Sequence, residues 1–387
     1  MTKKNIIYIL GFAGFVAQAD NWVVSPILPS IAQDLHVHIA SSSIVITAYM
    51  LPFGLFQIIY GYLSERFGKR QVITFAIALF TLATALCSLA VAIPDLAGYR
   101  ALTGVFAAAI IPVSFALIGD LFPLEERQSA LGSFLGFTFL GQALSMIIGG
   151  SIAYFMNWRG VFGIYAGIAA VSSILLLSIG KKIPSEKNKQ SRPFKPYIDI
   201  LKNPSNSIIY LLLLFEGICM LGSFSFIGGF IKQSFGLNNL LIGLVMTAFG
   251  VLVLVAGRST GKISARMGRS KAVVIGLGLI FISNLMLVFM GSYLAAVIVA
   301  VGLMGFGFIT AHSTFLTIAT EFSPNARGYA MSLVAFCFMG GGGIGTAIGG
   351  AVVAASNYET LFAIFGAGLL ALTICAFFLK NALKQTA

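Results

Sequence analysis

Twelve long apolar runs recur along the 387 residues, near 6–26, 42–62, 71–92, 97–119, 129–152, 159–180, 207–231, 240–260, 272–290, 294–318, 328–352 and 358–380. Each is bounded by charge or turn residues. A helix needs about 20 apolar residues to cross a hydrocarbon core about 30 Å thick, whereas a membrane barrel shows only ten-residue alternation. The runs predict an all-α membrane protein with twelve transmembrane helices. Composition agrees: charged residues are 9% of the chain against roughly 25% in a soluble domain, and 58% is hydrophobic, which excludes a soluble globular protein, a disordered chain and a collagen-like repeat.

An even number of spans places both termini on one side. The first span follows Lys3 and Lys4, is longer than a signal-peptide core and lacks a small-residue cleavage site, so it is expected to be retained. All of the 24 Lys and Arg except Arg100, Arg159 and Lys232 fall on one face of this topology. Basic loops stay cytoplasmic, so both termini are expected inside, in a multi-pass protein of a cell membrane, bacterial inner membrane or plasma membrane. The net charge of +12 then reflects topology and contact with anionic membrane lipids, and no nucleic-acid partner is expected. Cys87, Cys219, Cys337 and Cys375 all lie inside spans without C-x-x-C pairing and read as packing residues.

Residues 181–205 form the one long polar stretch, with seven basic residues and Pro184, Pro193, Pro196 and Pro204. They read as a cytoplasmic linker between six-helix bundles at 1–180 and 206–387, with a weakly signalled amphipathic turn around Tyr197 to Leu201. Sliding the chain against itself by 200 positions tests whether the halves are related. Gly61, Ser64, Arg66 and Gly68 meet Gly261, Ser264, Arg266 and Gly268. Arg127, Ala130, Gly141, Ile148, Gly149, Gly150, Asn157 and Phe162 meet Arg327, Ala330, Gly341, Ile348, Gly349, Gly350, Asn357 and Phe362. Halves with an even number of helices share orientation, giving a parallel repeat about an axis along the membrane normal, a transporter-like plan.

After span two comes Gly61-Tyr-Leu-Ser-Glu65-Arg66-Phe-Gly68-Lys69-Arg70, echoed as Gly261-Lys-Ile-Ser-Ala-Arg266-Met-Gly268-Arg269. The pattern resembles the G-x-L-[AS]-D-R-x-G-[RK]-[RK] loop of the major facilitator superfamily, and span count, linker and repeat extend the resemblance over essentially the whole chain. It implies a cytoplasmic gate at Gly61, Glu65, Arg66, Gly68 and Arg70 that latches the outward-open state, with Glu65 where the family usually has Asp. The alternative is that these charges only fix topology.

Arg100 begins span four in Tyr99-Arg100-Ala-Leu-Thr-Gly104. An intramembrane Arg needs an anionic partner or a wet cavity, and Asp20 is the candidate. Asp20 lies about 21 Å and Arg100 about 25 Å from the inner end of their spans at 1.5 Å per residue. The resemblance implies proton coupling for the arginine of R-x-x-x-G in helix four, and drug/proton antiporters often carry an acid before a P-x-x-P in helix one, here Asp20 before Pro26 and Pro29. Protonating Asp20 would release Arg100; a purely structural ion pair is the alternative.

Glu216, about 14 Å from the inside in span seven, has no basic residue at similar depth in its half. An unpaired acid there suits carrying a proton or meeting a cationic substrate, because desolvation disfavours its charged form; a hydrogen-bonded structural acid is the alternative. His312 falls in the inner part of span ten among Thr and Ser and reads mainly as a neutral packing residue. Gln18, Asn21, Tyr49, Gln57 and Gln142 join it as candidate lining of a substrate cavity. The 34 phenylalanines are spread through the chain and identify no aromatic pocket.

Span five carries Gly141-Gln-Ala-Leu-Ser145-Met146-Ile-Ile-Gly149-Gly150, similar to the G-x-x-x-G-P-x-x-G-G of the superfamily's antiporters but with Ser-Met at the central Gly-Pro. The repeat copy restores the glycine as Gly345 before Gly349 and Gly350, without the proline. These glycines read as helix-packing and hinge devices.

No metal-ligand cluster, nucleotide-binding loop or nucleophile/base pair is visible, so neither an enzyme nor a bound cofactor or metal is expected. The expected function is a monomeric secondary transporter, coupling protons to export of small amphipathic or cationic compounds by alternating access, as in the drug/proton antiporters it resembles. A dedicated metabolite exporter, for a siderophore or sugar, and a proton-coupled uptake symporter are the alternatives within transport; a non-transporting membrane sensor is the alternative outside it.

Overall fold

A computed structural model describes residues 3–185, 187, 194–321 and 327–379. The twelve runs become helices. Span one is α1 (Lys3–Trp22) plus α2 (Val24–Asp34), and span two is α3 (Ile39–Ser42) plus α4 (Ile44–Phe67). Spans three to six are α5 (Lys69–Cys87), α6 (Ile93–Leu121), α7 (Leu124–Phe155) and α8 (Trp158–Ser178). After the short linker helix α9 (Lys195–Leu201), span seven is α10 (Pro204–Glu216), a π-helical turn Gly217–Leu221 and α11 (Gly222–Phe235). The last five are α12 (Asn239–Met267), α13 (Arg269–Phe289), α14 (Leu294–Glu321), α15 (Arg327–Ala355) and α16 (Tyr358–Phe378). Among the described residues eleven spans are long and apolar enough to cross a membrane, and α1–α2, bent by 49°, makes the twelfth.

That bend has a local cause. Pro26 cannot donate to the carbonyl four residues back, so the helix breaks at Val23 and resumes in a new direction. Span one consequently ends at Asp34, eight residues beyond the apolar run. Asp34 takes hydrogen bonds from Trp158 Nε1 at 3.0 Å and Arg159 Nη1 at 2.5 Å, clipping α2 to α8. Large apolar side chains such as Phe75, Leu82, Ile174 and Phe289 are more than 60% exposed around the perimeter, where lipid is the fitting solvent.

The identities of the internal repeat have structural reasons. Gly68 and Gly268 sit at φ 96° and 87° in the turns closing α4 and α12, a region that penalises any Cβ. Asn157 and Asn357 cap α8 and α16, accepting from Gly160 and Thr360 N–H at 2.9 and 2.8 Å. Gly150 of α7 packs against the backbone of Asn239 and Gly243 in α12, while Gly350 of α15 packs against Ala40 and Ser43 beside α4. The two contacts are exchanged by the 200-residue shift, as a two-fold relation between parallel halves requires.

The halves close on each other at the end opposite the basic loops. Ser25 Oγ donates to the carbonyls of Phe224 and Ser225 at 3.0 and 3.1 Å, Ser30 bonds Asn239 at 2.7 Å, and Gly228 lies on the backbone of Ser25. Helix α1 packs on α6, α7 and α8 of its own half, and α10 on α9, α14, α15 and α16, while α4 with α15 and α7 with α12 join the halves. The α1 face that carries buried Trp22 also carries Gln18, Phe15 and Phe12, all half-buried, and Tyr8, 57% exposed. Exposure thus grows along one stripe of α1, at intervals of three and four, from Trp22 toward the basic end.

Candidate functional site

Asp20 and Arg100 are joined as their depths predict. Arg100 Nη1 donates to Asp20 Oδ2 at 2.6 Å, with both side chains essentially inaccessible. The guanidinium lies 4.1 Å from the Tyr49 ring centroid and 5.6 Å from that of Phe162. Gly104, one turn beyond Arg100, makes this approach workable, because any Cβ there would collide with the Tyr49 carbonyl. Asp20 Oδ1 and Arg100 Nε have no protein hydrogen-bond partner, so the pair is incompletely satisfied and held largely by charge. Two residues separate Asp20 from Trp22, about 200° around the helix. Asp20 therefore points into its own half, toward α6, while Trp22 faces the other half.

Glu216 corrects the sequence reading. It is not alone: His312 Nδ1 lies 3.1 Å from Glu216 Oε2, so the histidine is the acid's partner instead of a packing residue. Depth alone did not reveal it, because a histidine among Thr and Ser is satisfied as a neutral side chain and, unlike Arg100, does not announce itself as the base for an acid. Glu216 is fully buried and its Oε1 has no protein partner, whereas His312 is 13% exposed. The backbone beyond Glu216 runs as a π-turn, and Gly217 in that turn together with Gly341 and Gly345 of α15 lets span seven and α15 meet backbone to backbone. Both halves thus bury one acid–base pair between equivalent helices, spans one and four in one half and seven and ten in the other.

The phenylalanines also need correction, since several converge on one place. Trp22 lies 5.1 Å from Phe224 and Phe249 and 6.1 Å from Phe308, across the boundary between halves. Phe308 continues to His312 at 5.1 Å and Phe338 at 5.4 Å, and His312 is 4.3 Å from Phe338. The sequence signal was the aromatic stripe of α1 ending at Trp22.

The remaining candidates scatter. Gln18 lies half-buried on the α1 stripe below Trp22, and Asn21 is buried at the seam with Trp22, Ser25, Met50 and Phe224. Tyr49 belongs to the Arg100 pair and stacks on Phe53. Gln57 and Gln142 are buried, with Gln57 Oε1, Gln142 Nε2 and the Tyr49 hydroxyl lacking protein partners. Gly141, Gly149, Gly150, Gly345 and Gly349 are all at tight helix contacts, Gly141 against the Phe15 backbone and Gly349 against Phe226. A cleft of about 550 Å³ at the closed end, lined by Pro29, His38, Lys232 and Tyr358 among others, contains none of the candidates.

At the basic end, Glu65 pairs with Lys69 at 2.7 Å, and Lys69 also pairs with Asp120 at 2.8 Å. Arg66 donates to Tyr62 at 2.5 Å and Arg70 to the Lys181 carbonyl. These contacts stay within the first half and its adjoining linker. Lys69 and Asp120 carry the network and were not singled out from sequence, although Lys69 sits inside the motif. Gly61 faces the Tyr197 hydroxyl, which donates to the Ile58 carbonyl at 2.9 Å, while the Tyr197 ring packs at 4.9 Å on Tyr329 of α15. Helix α9 thus ties the gate loop's helix to the second half.

Among the described residues, no group of three or more His, Cys, Asp or Glu could hold a metal ion. The chain is 26% identical to YceJ, an MFS-type transporter of Bacillus subtilis, over 99% of this chain and 96% of the relative. It is 30% identical to multidrug resistance protein fnx1 of Schizosaccharomyces pombe over 49% of this chain and 36% of that one. The solved structure of the nucleoside transporter NupG superposes with a TM-score of 0.78 over 98% of this chain and 100% of that one, at 13% identity, which speaks for the fold alone. The Major Facilitator Superfamily profile matches residues 10–326 and 219–386, so the chain with these two intramembrane acid–base pairs belongs to the major facilitator superfamily.

Proposed function

We propose that this transporter exports small amphipathic or cationic compounds in exchange for protons, by alternating access, with its basic end in the cytoplasm. The observation that carries the reading is the Asp20–Arg100 pair, sealed inside one half at 2.6 Å. Protonating Asp20 removes the charge that balances the guanidinium. Uncompensating a buried pair costs about 3–5 kcal/mol, and inverting a two-state equilibrium from 1:99 to 99:1 needs about 5.5 kcal/mol. One proton at this position can therefore supply most of the bias between inward- and outward-open states. Arg100 is restrained by Tyr49 and Phe162, on α4 and α8, so its release is felt by the helices that flank α1. The α1 stripe that grows more exposed toward the basic end supports a vestibule between the halves loaded from the cytoplasm, and fnx1, a multidrug resistance protein by name, is among the relatives.

Proteoliposomes test it. With an imposed pH gradient, native protein should drive uptake of cationic dyes into inside-acidic vesicles, and Asp20→Asn and Arg100→Ala should abolish the gradient dependence. If no tested cation or metabolite moves with the gradient, proton antiport is wrong. Movement with the proton flow instead of against it would replace export with symport.

A further inference from the structure

The aromatic rings beside the second acid–base pair form a cluster in which four neighbouring pairs lie within 30° of parallel. Trp22 and Phe249 are inclined by 30°, Phe249 and Phe308 by 22°, Phe308 and His312 by 28°, and Phe308 and Phe338 by 21°. The imidazole lies along the face of Phe308 and is inclined by 49° to the ring of Phe338 at 4.3 Å. On its edge it meets Glu216 Oε2 at 3.1 Å, and the second carboxylate oxygen has no protein partner. His312 is the exposed member, at 13%, while Glu216 behind it is sealed. A flat ring with an N-bound positive charge would meet the same surroundings in place of the imidazole: the face of Phe308, the tilted ring of Phe338 and, at its edge, the carboxylate.

From this geometry we infer that Glu216, His312, Phe308 and Phe338 form the subsite for a planar aromatic cation, which enters from the vestibule and takes the place of His312 against Glu216. The inference rests on the export reading for its direction of loading, and adds the substrate class and the residues that select it. Each ring face over a cation contributes about 0.5–2 kcal/mol, more where water is excluded, and a carboxylate in a low-dielectric wall distinguishes a cation from a neutral ring of the same shape. The first charge pair cannot serve this purpose. Its acid is turned into the first half and already holds a guanidinium.

The test uses the purified full chain in detergent with no gradient, ethidium as planar cation and phenanthridine as its neutral parent, both followed by equilibrium dialysis. Glu216→Gln is expected to weaken ethidium binding about thirtyfold or more while leaving phenanthridine within about twofold. Phe338→Leu is expected to weaken both ligands. A second readout is Trp22 fluorescence in a Trp158→Phe background, which leaves Trp22 as the sole tryptophan; both ligands should quench it. The inference is overturned if Glu216→Gln binds ethidium as tightly as native protein, if it loses the two ligands equally, or if Trp22 emission ignores saturating ethidium. Should Glu216→Gln fail to fold, Glu216→Asp replaces it, with an expected drop for ethidium alone. Binding lost in Glu216→Gln alongside no gradient-driven transport in native protein retires the export reading and keeps the subsite. Gradient-driven transport with unaltered binding does the reverse.

Discussion

Replacing Asp20 with Asn keeps its shape and removes one charge, which imitates permanent protonation. The cost follows from the surroundings of Arg100. Its guanidinium would remain fully buried, with Nε unsatisfied already and only the Tyr49 and Phe162 faces as compensation. Removing one member of a buried pair costs about 3–5 kcal/mol, and two ring faces offset about 1–2 of that only if they were not already engaged, which here they are. The full penalty is therefore expected. At roughly 2 °C per kcal/mol for a unit this size, Asp20→Asn should melt about 6–10 °C below native protein. Cys87, buried and 3.7 Å from Thr103 beside the pair, supplies the assay: its reaction with a thiol-reactive fluorophore on heating reports opening of this region. The double variant Asp20→Asn with Arg100→Met should recover most of the loss, because a buried pair exchanged for apolar volume is often neutral or better. The cycle would give a coupling of about 3 kcal/mol. Melting of the single variant within a degree of native, or a double variant no better than the single, would refute the claim that Asp20 holds Arg100 in place and, with it, the energy assigned to the proton.

Lys69→Met removes its two ion pairs, to Glu65 and Asp120; since both acids are partly exposed, a loss of only about 1 kcal/mol in melting is expected, while transport in proteoliposomes should fall more steeply. Gly150→Val pushes a side chain into the Asn239 carbonyl and should cost about 1–3 kcal/mol, whereas Gly98→Ala, with open space around it, should stay within about 0.5 kcal/mol; paired thermal melts check both. Ser185→Cys and Gln233→Cys lie at opposite ends of the bundle, so in right-side-out vesicles a membrane-impermeant maleimide should label only the second. Labelling of the first instead would invert the assigned orientation.

The spans were legible because the bilayer imposes a length and an apolarity on every crossing helix that no other environment demands. The repeat was legible for a different reason: Gly68 and Gly268, and Asn157 and Asn357, serve backbone needs that admit few residue types, so the copies kept them. Span one was drawn too short, since its outer part is broken by Pro26 and ends on Asp34, and apolarity alone does not report a bent continuation. Asp20 and Arg100 could be paired by depth because each sits at a well-counted distance from its span end, and only one acid was available. His312 escapes that pairing because a histidine among Thr and Ser is satisfied as a neutral side chain, so sequence alone does not mark it as the base for Glu216. The gate loop shows the same limit. Its motif named the charges, but Lys69 was picked out as the bridge only when α5 and α6 were placed side by side.

What the sequence determined by itself is whatever is local or imposed by the solvent: twelve helices, two related halves, the basic face and the identity of the few intramembrane charges. What only the tertiary structure decided is how those charges are shared between the halves. Asp20 turns inward to a sealed guanidinium, while Glu216 stands behind a histidine and a stack of rings gathered from α1, α12, α14 and α15. The reason is geometric. Direction around a helix changes by about 100° per residue, so whether a side chain faces its own bundle or the vestibule is set by how the helices are rotated and bent against each other.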